Sequence, residues 1–216
     1  MYNKSIMSFY SFALLIALSI SSTSVAALDL EGPQVCSSKY CHGNIVAPLS
    51  RVAVVELAMY TGLVAIWPDF YAPSHGSTKQ FKKAWTMPPY FDSTKPIFLS
   101  DGDIWPINAV LHPIYGSEIY LVSRTWEHNP FMSFMFSASA SVVWEYLVES
   151  WFQRPSLIDL LWTPLAGAAL GEFRYFILKA ASQKIDKKVP KVIIMTLIDP
   201  LGQIERAIMG NCTPSF

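Results

Sequence analysis

The sequence is short of charge. Only 15% of its 216 residues are Asp, Glu, Lys or Arg, against about 25% in ordinary soluble domains. Sixteen basic and sixteen acidic residues cancel to a formal net charge of zero. That balance gives no footprint for nucleic acid, which a basic surface would be needed to hold. Cysteine is scarce, with three residues, and none forms a C-x-x-C pair. The G-x-S-x-G nucleophile elbow, the phosphate-binding P-loop and the H-E-x-x-H zinc motif are all missing. The commonest hydrolase, nucleotide-binding and metalloprotease signatures are thereby set aside. What the chain has in quantity is apolar side chains: 52% are hydrophobic and 14% aromatic. This is enough for a large core, with apolar surface left over for a membrane or a partner.

The first residues account for part of the apolarity. Lys4 precedes a largely apolar run, Ser5 to Ile20, and Ser24-Val25-Ala26-Ala27 has the small side chains of a cleavage site. Residues 1–27 therefore read as a secretory signal peptide, with an uncleaved anchor as the alternative. Its removal takes away one Lys and no acid, leaving 15 basic against 16 acidic residues, a net charge of −1. Residues 28–47 read as an N-terminal arm. Cys36 and Cys41 lie there, in what would be an oxidising compartment, and a disulfide between them is expected. Their spacing with His42 also resembles half of a zinc site, but no second Cys/His pair completes it. Cys212 is left over in the tail, residues 210–216, or pairs with one of the two.

Residues 48–209 read as an all-α domain, a membrane-associated bundle of about four to five helices with a long aromatic- and Lys-rich loop. Pro48 to Trp67 is the first apolar run, interrupted by Glu56, and reads as a buried or membrane-embedded helix. Residues 68–104 show no helical period and read as a surface loop. Its Trp85, Tyr90 and Phe91, beside Lys79, Lys82 and Lys83, suit a lipid headgroup layer or a loop folded on its own aromatics. Three helices are expected next: Trp105 to Arg124, with His112 near the N-cap before Pro113; Phe131 to Phe152; and Leu157 to Ser182, capped by Ser156 and kinked at Pro164. The Lys-rich stretch from Lys179 to Lys191 suits a solvated helix end or an anionic lipid surface. Val192 to Ile198 reads as a strand or a buried helix start, and Leu201 to Met209 as a last short helix.

Small or polar residues recur every fourth position on the three central helices. The rows are Asn108, His112, Gly116, Tyr120, Arg124; Ser133, Ser137, Ser141, Glu145, Glu149; and Asp159, Thr163, Gly167, Gly171, Tyr175. Such a row drifts by only about 40° per step, so it stays on one face. Ridges of this kind pack into one another, and small residues let the backbones come close. The three rows are expected to face one another.

The rows also carry His112, Arg124, Glu145, Glu149 and Asp159 among Val, Leu, Trp and Phe. A charge buried there without a partner costs several kcal/mol, so these groups must be paired, neutralised or metal-bound. Glu145 and Glu149 are one turn apart. Three readings stand: a structural ion pair with Arg124 or another Arg, an acid/base pair in which one carboxyl keeps its proton, or a divalent metal held together with His112 and Asp159. No Glu-x-x-His motif supports the metal, and the cofactor stays undefined. The catalytic candidates are thus Glu145, Glu149, His112 and Asp159. Asn108, Tyr120, Arg124, Ser141, Thr163, Glu172 and Arg174 are the candidates for a supporting or binding network. Asp159 and Glu172 fall about 220° apart around a straight helix and should not share a site.

The succession His112-Pro113-x-x-Gly116-x-x-x-Tyr120, Arg124, Ser141-x-x-Trp144-Glu145-Tyr146-x-x-Glu149, Pro155-Ser156-x-x-Asp159-Leu160, Thr163-Pro164-x-x-Gly167 and Leu170-Gly171-Glu172 resembles a bacterial envelope family catalogued only as a domain of unknown function. Asp199-Pro200 and Arg206 extend the likeness, which covers residues 105–206. It implies a Gram-negative envelope location, in the periplasm or at the outer membrane, and no assigned activity. Some members resemble this chain fused to an outer-membrane barrel, which makes an outer-membrane protein an expected partner. No run of alternating strands follows residue 192, so no barrel is expected in this chain. Two functions are carried forward: a module binding lipid or an envelope partner, and a hydrolase or transferase acting on an envelope lipid or glycan.

Overall fold

A computed structural model describes residues 45–209. The expected signal peptide, most of the N-terminal arm with Cys36 and Cys41, and the tail with Cys212 lie outside the described residues. Eight α-helices follow one another: α1 Val46–Ile66, α2 Pro68–Tyr71, α3 Thr78–Thr86, α4 His112–Thr125, α5 Pro130–Val143, α6 Leu157–Lys184, α7 Lys188–Ile198 and α8 Pro200–Met209. No strand forms among the described residues. One isolated parallel bridge joins Tyr90 to Ser156. The all-helical expectation agrees with this, and Val192 to Ile198 is helix rather than strand.

The helix count exceeds the expected four to five because the segment 68–104 is not one loop. It holds α2, α3 and two 3₁₀ turns, Pro73–His75 and Ile97–Leu99. In the sequence Thr-Lys-Gln-Phe-Lys-Lys-Ala-Trp-Thr of α3, Phe81, Ala84 and Trp85 stand at helical spacing and make one apolar edge, with Ala84 fully buried. The helix is fixed by its start and by that edge. The Ser77 hydroxyl accepts the Gln80 N–H at the N-terminus. Phe81 stacks on Trp151 at 4.5 Å, and Trp85 meets Tyr146 edge-on at 5.1 Å.

The three rows do face one another. Ser137 Oγ donates to the Gly116 carbonyl (3.0 Å), and Ser141 Oγ to the Asp159 carbonyl (3.1 Å). A methyl group on Gly167 would lie 2.7 Å from the Gly116 Cα, so α4 and α6 touch backbone to backbone. The α1 helix covers the outer side of this trio. Its Val52, Val55, Met59, Tyr60 and Leu63 pack on Tyr115, Ile119, Ala140 and Trp144. The α7 helix closes the far side, where Met195 meets Leu121 and Leu178.

Two helices depart from regular winding next to the row acids. His112 is not an N-cap: a π turn, Ile107–Leu111, runs directly into α4. Pro113 has no N–H to offer the Ala109 carbonyl four residues earlier, and that carbonyl instead lies 3.5 Å from the Trp162 indole N–H. The helix expected as Phe131 to Phe152 passes from α5 into a π turn, Trp144–Val148, and a 3₁₀ turn, Glu149–Trp151. Wide turns of this kind are frequent at functional sites. The start of α6 follows its expectation, with Ser156 Oγ accepting the Asp159 N–H at 3.2 Å.

By length and composition, α1 and the composite helix Pro130–Trp151 could each cross a membrane; 6% and 33% of their most apolar windows are buried. Large apolar side chains stand exposed on several elements, among them Val54 and Leu57 of α1, Phe131 of α5, and Leu165, Phe173 and Phe176 of α6.

Candidate functional site

The beginning of α4, the end of the composite helix and the beginning of α6 converge at one end of the bundle. Each brings its row acid or histidine there. Into the same place the segment before the π turn delivers Asp101 and Asp103. Gly102 between them has a φ of 108°, a left-handed conformation that side chains rarely adopt. The result is an acidic chamber containing Asp101, Asp103, Glu145, Glu149 and Asp159, with His112 as its one imidazole. Glu145 and Asp159 are fully buried, and Glu149 and His112 nearly so.

All of these side chains except Asp159 are held by hydrogen bonds. The Ser156 N–H donates to Glu145 Oε2 (2.7 Å), and the Ser156 hydroxyl donates to Asp101 Oδ2 (2.7 Å). Asn108 Nδ2 lies 2.8 Å from both Asp101 oxygens. Tyr71 OH and Gln153 Nε2 both donate to Glu149 Oε1, at 3.1 and 2.7 Å. The same Gln153 amide reaches Asp103 Oδ2 at 3.2 Å. His112 Nδ1 is 2.9 Å from Thr163 Oγ1, which aims Nε2 at Asp159 Oδ2, 3.7 Å away.

Other atoms of the same groups are left without hydrogen-bond partners. Glu145 Oε1, Glu149 Oε2 and both Asp159 oxygens are buried and receive no donor. No Lys or Arg pairs with any of the five carboxylates among the described residues. An ion pair of the glutamates with Arg124 or another Arg, one of the three readings, is not formed among the described residues; Arg124 pairs with Glu172. Two sets of ligand atoms lie within 4.8 Å of one another: His112, Glu145 and Asp159, and Asp101, Asp103 and Asp159.

The electrostatics follow from burial and crowding. Loss of water raises the Asp159 carboxyl to about 9, helped by the charges of Asp101 and Glu149. The same two causes, burial and Asp101, bring Asp103 to about 6. Burial lowers His112 to about 4, so its ring is neutral at pH 7 and keeps one lone pair free. Asp101 is opposed by burial, yet hydrogen bonds from Ser156, the Asp103 N–H and Asn108 hold it below the usual range. When Asp159 carries a proton it can donate to Asp101. When it does not, both of its oxygens stand without a donor.

The other sequence candidates divide between this chamber and two further networks. Asn108, Ser141 and Thr163 belong to the chamber as second-layer groups. Tyr120, Arg124 and Glu172 form a separate cluster further along α4 and α6. There Tyr120 OH donates to Glu172 (2.8 Å), Arg124 pairs with the same carboxylate (2.8 Å), and its guanidinium lies 4.3 Å over the Tyr175 ring. Arg174 belongs to a third group, donating to Glu118, Ser117 Oγ and the Ile198 carbonyl. Arg51 of α1 joins that group through Glu118, Asp199 and Glu205, and Arg206 pairs with Asp199. There the cations answer the acids. In the chamber no Lys or Arg among the described residues does.

The sequence reading missed Asp101, Asp103, Tyr71, Gln153 and the double role of Ser156. The one local signal was Asp-Gly-Asp, two acids flanking a turn glycine a few residues before a helix. It lies inside the segment read as a surface loop with aromatic anchors.

Residues 97–201 match a family model, a domain of unknown function (DUF3943). That span contains all five chamber carboxylates and His112. No curated protein matches, and no solved structure does. An uncharacterised family is thus consistent with the resemblance seen in the sequence, and no relative supplies a reaction.

Proposed function

We propose that this chain is an exported, membrane-associated module of the cell envelope whose acidic chamber binds a divalent cation. The observation that supports this is the set of buried carboxylate oxygens of Glu145 and Asp159 that no donor satisfies. Unpaired buried carboxylates cost several kcal/mol each, and neutralisation by a metal removes that cost where no Arg or Lys is at hand. The neutral His112, oriented through Thr163, fits the usual pattern of an imidazole ligand held by a second-layer hydrogen bond. The apolar exterior and the two long apolar helices support a membrane setting. Signal peptide, export and envelope location rest on the sequence reading alone.

The chamber has an apolar neighbour. A cavity of about 560 Å³ lies between α1 and the end of the composite helix, lined by Ala53, Leu57, Tyr60, Gly76, Leu147 and Phe152 among others. Phe152 meets Tyr71 edge-on at 5.5 Å, and Tyr71 donates to Glu149. A lipid with its apolar part in this cavity would bring its polar part toward the chamber. The second reading, a hydrolase or transferase on such a lipid, draws on Glu149: its buried, unpartnered Oε2 is a group able to take a proton from an attacking nucleophile.

The test is equilibrium binding to the full chain in mild detergent, stripped with chelator and titrated separately with Mg²⁺, Mn²⁺, Ca²⁺ and Zn²⁺. Saturable binding of at least one cation, weakened at least tenfold in Glu145→Gln with an unchanged helical signal, is the expected result. Absence of binding up to millimolar cation, with the wild-type chain folded, would leave the chamber a proton-sharing structural network.

A further inference from the structure

We propose that the chamber holds two divalent cations bridged by the carboxylate of Asp159. This rests on the cation reading above and adds a stoichiometry, a bridge and a ligand set for each ion.

The two groups of ligand atoms have Asp159 in common. His112 and Glu145 complete one trio with it, and Asp101 and Asp103 the other, each trio within 4.8 Å. Asp159 is also the chamber residue whose two carboxylate oxygens are both buried without a donor. Glu145 and Glu149 each have one oxygen tied and one free. A carboxylate serving a single ion needs one free oxygen. A carboxylate bridging two ions needs both, and that is what Asp159 offers from the first turn of α6.

Charge points the same way. With all five carboxyls deprotonated, as cation ligands must be, they and a neutral imidazole carry a formal charge of −5. One divalent cation leaves −3 in a buried space, whereas two leave −1. Two divalent ions close together repel each other more strongly than two carboxylates do, so a second ion is held only where a carboxylate bridges the pair, which the two donor-free oxygens of Asp159 allow. Paired metal ions bridged by carboxylates sit about 3.5–4 Å apart, a spacing that the overlapping trios can accommodate.

The two positions differ in chemistry. The first offers an imidazole nitrogen and carboxylate oxygens, a mixed set that suits borderline ions such as Zn²⁺, Mn²⁺ or Fe²⁺. The second is all oxygen and suits Mg²⁺, Mn²⁺ or Ca²⁺. Mn²⁺ suits both and reports on its own surroundings. Glu149 stands beside the pair, its Oε1 held by Tyr71 and Gln153, with Oε2 free to close a coordination sphere.

The experiment is Mn²⁺ reconstitution of the chelator-stripped full chain in detergent, read by elemental analysis and low-temperature electron paramagnetic resonance. Wild type is expected to take up two Mn²⁺ per chain and to give the multiline spectrum of an exchange-coupled pair. Asp159→Asn should abolish the coupling. Asp103→Asn, at a less buried position, should keep one Mn²⁺ with the six-line spectrum of an isolated ion. It also preserves the test if Asp159→Asn fails to fold, as judged by circular dichroism. One Mn²⁺ per chain in wild type, or two without coupling, would overturn the bridged pair while the single-cation reading stood. No bound Mn²⁺ in the folded wild-type chain would overturn the pair, and the cation titrations above would then decide the single-cation reading separately.

Discussion

Gly116 and Gly167 lie back to back: a methyl group built on Gly167 falls 2.7 Å from the Gly116 Cα and carbonyl carbon. A methyl on Gly116 falls 2.2 Å from the Thr163 carbonyl oxygen. Both obstacles are backbone, which cannot swing aside. Since α4 carries His112 and α6 carries Asp159, this contact fixes the spacing of those two groups as well as the packing of the bundle.

Gly167→Ala and Gly116→Ala are therefore expected to destabilise the protein, by about 1–3 kcal/mol or more, as overpacking does. Thermal unfolding in detergent measures this. Gly62 of α1 is the control, since nothing lies within 4 Å of its would-be methyl. Gly62→Ala should be neutral or stabilising by about 0.5–1 kcal/mol through helix propensity alone. Equal losses at all three positions would mean that the close crossing is not what the two central glycines are for.

The glycine and serine rows were legible in the sequence because a spacing of four stays on one helix face, and a face of small residues has few uses except close approach. The chamber was only half legible. Glu145, Glu149, His112 and Asp159 sit on those rows. Asp101 and Asp103 do not; Asp101 is held by Ser156, 55 residues away, and Asp103 by Gln153, 50 residues away. Tyr71 meets Glu149 across 78 positions. No local period encodes contacts of that range. The π turns were hidden for a related reason: composition alone does not separate a wide turn from a regular one. Arg124 misled in the opposite direction, since its place on a row suggested the chamber while its length along the bundle delivers it to Glu172.

The buried Arg51 marks a second point of vulnerability. It reaches from α1 to Glu118, Asp199 and Glu205, and is 6% exposed. Its loss leaves Glu205 without this partner, while Glu118 keeps Arg174 and Asp199 keeps Arg206, so the cost should fall below the figure of about 3–5 kcal/mol for an unanswered buried charge. Arg51→Met should lower the unfolding temperature measurably without blocking accumulation. Cation binding, measured on whatever folds, should be unchanged, because Arg51 touches none of the chamber groups.

The Arg124–Glu172 pair should behave differently. Glu172 is 45% exposed, and exposed pairs contribute at most about 1 kcal/mol. Glu172→Gln is expected to cost less than that. The hydrogen bond from Arg124, ahead of that from Tyr120, lowers the Glu172 carboxyl below its ordinary value. A carboxyl depressed on folding contributes stability above its unfolded value and loses it as pH falls through the folded one. Wild type and Glu172→Gln should thus differ slightly at neutral pH and converge in acid. A gap that widens on acidification would contradict the pairing.

Thr163 offers the finest probe of the chamber, because it touches His112 and none of the carboxylates. Its hydroxyl, 2.9 Å from His112 Nδ1, fixes the ring so that Nε2 faces Asp159. Thr163 is buried on the α6 ridge that meets Gly116, so a substitution must keep its shape. Valine does, at the cost of one hydrogen bond. If His112 is a ligand, Thr163→Val should weaken cation binding by about 10–100-fold, the usual effect of losing a second-layer partner, while His112→Ala weakens it further. If His112 is only a satisfied core histidine, Thr163→Val should lower stability by about 1 kcal/mol and leave the cation affinity where it was. A titration of Mn²⁺ into each folded variant separates the two, because a structural role predicts a change in unfolding temperature alone and a ligand role predicts a change in affinity as well.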